Sequence, residues 1–392
     1  MSASEFEAFA EAVGAFPRGE IIPRGERLRR VAVLGGLSDA RLLAALALAE
    51  GIEPVLFSAY GAELSALGAG VAVRGAGPVG SYQTDAEGGA PSIRTTPSLD
   101  EAVAGADAIF LTGPTHKKRT YALVLAEHLS DGQLIVLAPG RTFGALETAW
   151  LLRAGGCRAD VTIVEAQTLP FWWRAEGSAL HLAPRAPGVA ATIPAGRGEA
   201  LERLVPILGP LAPASSAVHS AFADGSGHIE AAALLLGGPA VSDAHPDLPM
   251  GATPLPENQT FRALLGAEHL SVIAAMGAER RAVAARFGVR DLPSDETWLD
   301  QHAGALRGEG GRGVPGQPNA RLMLRDALAG SLEPLASAAA AASVATPVTG
   351  AILALGAATL GEGPAGRRVE AWGVAGPAET ARRRLETLAG LG

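Results

Sequence analysis

Short apolar runs alternate with helical patterns over the first half of the chain, and helix alone takes over in the second. Residues 31–34, 54–58, 108–112, 134–138 and 161–165 are aliphatic, rich in β-branched side chains and closed off by Gly, Pro or Asp, which predicts buried strands. Between them, residues 40–50, 99–104, 121–129 and 144–154 carry apolar positions at helical spacing. Strands joined through such helices require right-handed crossovers and a parallel sheet covered on both faces. The predicted fold class is α/β: a doubly wound parallel sheet followed by a mostly α-helical C-terminal domain. After about Asp224 the helical stretches are 261–287, 295–306, 320–335 and 336–361, while 180–194 holds short runs that read as further strands. The expected domains are an N-terminal extension at 1–29, the α/β domain at 30–223 and a helical substrate domain at 224–392. A substrate is expected in the cleft between the two domains.

Composition narrows the function. A chain of 392 residues, 48% hydrophobic and 18% charged, has material for two cores and is far from a disordered composition. A net charge of −8 and the lack of any Lys/Arg stripe argue against a nucleic-acid partner. The one cysteine, Cys157, excludes an intramolecular disulfide, and no His/Cys/carboxylate cluster has metal-ligand spacing, so no metal is expected. The acidic start MSASEFEAFAEAVGAFPRGE is not a secretory signal, and a cytoplasmic location is expected. The alanine-rich stretch 336–360 is broken by Ser337, Ser343, Thr346, Pro347 and Thr349, which favours a buried helix pair over a membrane span. RGEGGRGVPGQPN, 307–319, reads either as a lid or as a plain connection.

The stretch VAVLGGLSDARLLAALALAEG, from Val31 to Gly51, is the Rossmann-like feature. In a dinucleotide turn one glycine makes the bend, a second lets the pyrophosphate approach and a third packs helix on strand. Gly35 supplies the bend and Gly36 eases it, but Leu37 and Ala40 fill the other two places. Asp39 beside the helix start is either an anion set against the phosphates or an ordinary first-turn acid. Phe57-Ser58-Ala59-Tyr60, closing the second strand, offers no acid for an adenosine ribose and no arginine for a 2′-phosphate. The expected cofactor-facing residues are Gly35, Gly36, Leu37, Ser38, Ser58, Pro114 and Thr115. The following cations Lys117, Lys118 and Arg119 either meet phosphates or carboxylates, or form a solvated helix start.

Downstream, SLDEAVAGADAIFLTGPTHKKRTYALVLAEHLSDGQLIVLAPGRTFGALE (98–147) and VTIVEAQTLPF (161–171) resemble the opine dehydrogenase family. AAMGAERRAVAARFGV (274–289) and RLMLRDALAGSLEPLASAAAAASVATPVTGAI (321–352) resemble its helical domain. The resemblance implies a dinucleotide cofactor, NADPH or NADH, and reductive joining of an amino acid amine to a 2-oxo acid, or the reverse. The implied partners are those two small molecules, with a homodimer left open. The family's Asn-Pro-Gly-Arg-Thr block appears with Ala138 for Asn, which places Arg141 and Thr142 at substrate or cofactor. Alternatively, Arg141 caps a helix or pairs with Glu147. Glu165 and Gln167 end a strand at its carboxyl edge, where ligands of open sheets bind.

The family's proton-carrying histidine falls, in DGSGHIEAAALLLGGPA (224–240), on Glu230; His228 stands two positions earlier, and either is a candidate. Arg321 and Asp326 match an Arg-x-x-x-x-Asp pattern that implies a carboxylate-binding arginine and an orienting aspartate. Five residues apart, they lie about 140° apart around one helix, so they need a bend or different partners. His245-Pro246 reads as a surface loop. Leu37, Ala40, Ala138, Ser58 and Glu230 depart together, which keeps open a non-redox homologue that holds an amino-acid-like ligand. A structural subunit, suggested by the alanine-rich helices and Trp172-Trp173, is a third reading.

Overall fold

The computed structural model describes residues 27–236, 265–298, 319–361, 363 and 366–390. The expected extension at 1–29, the 307–319 loop, His245-Pro246 and the outer ends of the 261–287 and 295–306 helices lie wholly or largely outside the described residues. The chain divides into two compact units. Met1–Pro139 with Thr148–Pro213 make one, and Gly140–Glu147 with Ala214–Gly392 make the other.

The first unit is built on an eight-stranded sheet. In chain order its elements are β1 (Arg30–Leu34), α1 (Ser38–Ala49), β2 (Glu53–Phe57), α2 (Gly61–Leu67), β3 (Val71–Gly75), β4 (Gly80–Tyr82), β5 (Arg94–Thr96), α3 (Leu99–Val103), β6 (Ala108–Leu111), α4 (Thr115–Leu125) and β7 (Leu134–Leu137). There follow α5 (Gly144–Ala154, begun in the stretch that counts with the second unit), β8 (Thr162–Ala166), β9 (Phe171–Glu176), β10 (Ala179–Pro184), β11 (Val189–Ile193), α6 (Glu199–Leu208) and β12 (Ala212–Pro213). The large sheet runs β12-β11-β8-β7-β6-β1-β2-β5, parallel except where β11 runs against β8. β1, β6 and β7 are aliphatic and buried almost throughout, as strands covered on both faces must be. Helix α1 is buried from Leu42 to Ala47 and joins the same core as Val31, Val33, Phe110 and Val136.

The further strands expected at 180–194 are β10 and β11, and they part company: β11 joins the large sheet and β10 a second sheet, β4-β3-β10-β9. Its β3–β10 pair is parallel and joins Ala72 to Ala179, a non-local contact that no short pattern announces. Helix α4 begins at Thr115 rather than 121, because its charged first turn carries no apolar period.

The second unit is helical: α7 (Ala217–Ala223), α8 (Ser226–Leu236), α9 (Ala267–Arg286), α10 (Asp295–Trp298), α11 (Asn319–Ala327), α12 (Glu333–Ala341), α13 (Pro347–Leu360) and α14 (Ala378–Leu388). Helix α8 packs against α9, α11 and α13. A π-helical turn, Leu328–Leu332, joins α11 to α12, and the helix expected to end at 335 runs on to Ala341. The alanine-rich pair exists, split near Ser343 at φ +55°, but it is not wholly buried. Thr349, Ile352 and Gly356 mark the one buried stripe of α13, and Leu355 is exposed. Among the described residues no helix is long and apolar enough to cross a membrane, and no group of His, Cys, Asp or Glu is placed to hold a metal ion.

Candidate functional site

The sheet order reverses between β1 and β6, and open α/β sheets bind ligands beyond the carboxyl ends of strands at such a reversal. Gly35, just past β1, has φ +134°, and a Cβ there would collide with Thr112 Oγ1, so glycine is required. The Thr112 hydroxyl, past β6, donates to the Leu34 carbonyl at 2.7 Å, and the Gly35 N–H donates to the Phe57 carbonyl at 2.9 Å. Three strand ends are thus tied at one point.

Gly36 is equally crowded, because a Cβ there would lie 2.7 Å from Glu63 Oε2. Glu63 stands in the first turn of α2. Its Oε2 accepts the Ser58 hydroxyl at 2.6 Å and its Oε1 accepts Lys117 Nζ at 2.7 Å, while the ammonium sits 4.8 Å from the Tyr60 ring centroid. The acid missing from Phe57–Tyr60 is therefore delivered from the next helix. Burial holds the Arg41 guanidinium on α1 below its ordinary range, and the Glu63 charge opposes that shift.

Beside this, Asp39 Oδ2 accepts the Gly113 N–H at 2.7 Å and Oδ1 accepts the Ala40 N–H at 3.0 Å. These are donors of the kind a phosphate uses at a helix start. Leu37 precedes α1 at 37% exposure, Ser38 begins it, and Pro114 and Thr115 open α4. Lys118 is buried and donates to the Pro139 carbonyl at 2.7 Å, while Lys117 and Arg119 are half-buried and His116 is exposed. A dinucleotide fits here at its adenosine end, where a carboxylate lies against a close glycine turn. At its diphosphate end the Asp39 carboxylate already holds the Gly113 and Ala40 N–H groups.

In the second unit the Pro-Gly-Arg-Thr turn presents Arg141 at φ +65° and Phe143 at φ +63°. Arg367, only 1% exposed, pins it: Nε donates to Glu147 Oε2 at 2.6 Å, and Nη1 donates to the carbonyls of Thr142 at 2.9 Å and Gly330 at 3.0 Å. Gly330 belongs to the π-helical turn, where the irregular ladder leaves a carbonyl for such use, and it also takes the Thr142 N–H at 3.1 Å.

The buried Arg141 guanidinium meets Asp326 Oδ2 through Nε at 3.2 Å and Nη2 at 3.1 Å. Its Nη1 donates to Ser226 Oγ at 2.9 Å, and that hydroxyl donates to Asp224 Oδ1 at 2.5 Å. Nη2 and Glu230 Oε2 form an ion pair at 2.8 Å without the alignment of a hydrogen bond.

His228 keeps other company. Burial, then the Arg280 charge, pushes it down to about 4, against Asp295 and Asp224. Arg280 donates to Asp295 at 3.1 Å and to the Phe222 carbonyl, and Arg281 reaches Asp295 at 2.7 Å.

The structure therefore brings Arg141, Glu230 and Asp326 together and places other expected residues elsewhere. Glu147 pairs with Arg367, not Arg141. Arg321 points its guanidinium at the Thr359 and Leu360 carbonyls, at 3.4 and 3.2 Å, as a cap on the end of α13. Different partners, and not a bend, resolve its angular separation from Asp326. The Thr142 backbone is spent on the turn. Glu165 is buried in β8, and Gln167 continues the pairing with β11, accepting the Val189 N–H through Oε1 at 3.2 Å. Glu63, Asp224, Ser226 and Arg367 stand in no sequence motif that marks them. Glu63 carried one usable signal, an acid in the first turn of the helix that follows the second strand.

The chain is 28% identical over 274 residues to an opine dehydrogenase of Arthrobacter sp. (strain 1C), covering 66% of this chain and 72% of that protein. The resemblance to the opine dehydrogenases holds. The fold is shared with octopine dehydrogenase solved with NADH and agmatine, at TM-score 0.64 and 18% identity over 92% of this chain and 98% of that one. It is shared likewise with octopine dehydrogenase solved with NADH and pyruvate, at TM-score 0.63 and 20% identity over 85% and 89%. No protein-family model matches the chain. At 28% identity the chain is a divergent relative of that opine dehydrogenase, and in it Glu230 is joined to Asp326 through Arg141.

Proposed function

We infer that this chain is an NAD(P)H-dependent oxidoreductase of the opine dehydrogenase type, joining an amino acid amine to a 2-oxo acid or running the reverse. The observation that supports this most is the Arg141–Glu230–Asp326 group, an ionisable cluster kept buried despite its desolvation cost. Loss of water from amine and oxo acid gives a C=N bond, which then takes up a hydride at carbon and a proton at nitrogen. The reduced nicotinamide, when bound, supplies the hydride.

In this reading Glu230 is the acid/base group, because it is buried beside Arg141, which also binds Asp326, whereas burial and the Arg280 charge push His228 down to about 4 and leave it neutral near pH 7. Arg141, already carrying two carboxylates, orients Glu230 rather than gripping a substrate carboxylate. The test mixes protein, NADH or NADPH, pyruvate and a panel of amino acids and amines including agmatine. Reduced nicotinamide should be consumed only when both carbon partners are present.

A second reading is favoured by Asp39 alone, whose carboxylate holds the Gly113 and Ala40 N–H groups. On that reading the protein keeps the fold, binds no dinucleotide and holds an amino-acid-like ligand. Failure of both cofactors to bind at millimolar concentration would leave it standing and remove the first.

A further inference from the structure

We propose that Glu63 reads the adenosine ribose and makes the turn selective for NADH over NADPH, an inference that rests on the dinucleotide reading above. Doubly wound sites hold the ribose diol on an acid at the end of the second strand, about 20 residues after the glycine turn. Here that strand ends in Phe57 and Ser58, and the acid comes from one helical turn beyond. Its carboxylate is anchored at both oxygens, by the Ser58 hydroxyl at 2.6 Å and Lys117 Nζ at 2.7 Å. Each oxygen of an ionised carboxylate has about two acceptor sites, so both can still take a ribose hydroxyl. The absence of a side chain at Gly36 is what lets the carboxylate lie against the bend, where a Cβ would stand 2.7 Å from Oε2.

The same geometry opposes a 2′-phosphate, whose charge would meet a fixed anion at 20% side-chain exposure. Two cations surround that anion. Lys117 is bonded to it, and Arg41 lies within its field. With Glu63 ionised its charge cancels one of the two. With Glu63 neutral they become the natural seat of a phosphate. One side chain thus lowers the positive charge that a phosphate would meet.

The experiment is titration of NADH and of NADPH, followed by reduced-nicotinamide fluorescence and calorimetry, against the full chain and its Glu63→Gln and Ser58→Ala variants. The unaltered protein should bind NADH at least about tenfold more tightly than NADPH. Glu63→Gln should weaken NADH and strengthen NADPH, so that the preference inverts. Ser58→Ala, which loosens the carboxylate without removing it, should narrow the preference, and it carries the test if Glu63→Gln does not fold. Equal binding of the two cofactors by the unaltered protein, or tighter NADPH, overturns the proposal and leaves the dinucleotide reading intact. Binding of neither cofactor by the protein or any variant overturns both.

Discussion

Asp39 and Glu63 divide the turn between them, and substitution separates their effects. On the dinucleotide reading, Asp39→Asn removes a charge from the N–H donors a diphosphate would use, so NADH affinity should rise by about tenfold. Leu37→Gly should shift it in the same direction, and fluorescence titration reads both. Unchanged affinity in Asp39→Asn would mean that this carboxylate is no competitor. In the second unit, Glu230→Gln should lower kcat by roughly two to four orders of magnitude, the usual worth of a positioned proton carrier. His228→Gln should leave kcat within severalfold, and the reverse outcome would return the role to the histidine. Arg141 and Asp326 were legible because each sits in a recognisable local pattern. Glu63 and Arg367 were not, since an acid in a helical first turn and an Arg-Arg pair look like solvated surface until their partners are known.

At the scale of elements, α9 and α10 are locked by one close approach. Gly277 on α9 lies against the Asp295 carboxylate, and a Cβ there would displace it. Asp295 holds Arg280 and Arg281, and Arg280 in turn holds the Phe222 carbonyl at the end of α7. Gly277→Ala, although it favours helix, should therefore destabilise the protein by about 3 kcal/mol, near the lower end for breaking a buried ion pair. A chemical-denaturation midpoint that rises would refute this lock. The strands β1, β2, β6, β7 and β8 could be located from their aliphatic runs because covering on both faces demands such runs. The β3–β10 pairing and the π-helical turn after α11 could not, since both depend on contacts distant in sequence.

For the molecule as a whole, His228 links folding to pH. It takes a proton near 6.5 when unfolded and only near 4 when folded, so between these values the unfolded chain binds more protons. Stability should therefore fall as pH drops from 6.5 toward 4, by on the order of 3 kcal/mol from this group. Thermal melts across that range should show the slope, and His228→Gln should flatten it; an unchanged slope would place the acid sensitivity elsewhere.

The sequence by itself determined the doubly wound sheet, the helical second half and the position of the glycine bend. Hydrophobic period and turn chemistry are local and act wherever the residues stand. Only the tertiary structure decided which carboxylate reaches Gly36, which arginine holds the Pro-Gly-Arg-Thr turn and which acid shares Arg141, because a long polar side chain takes its partner from the fold around it.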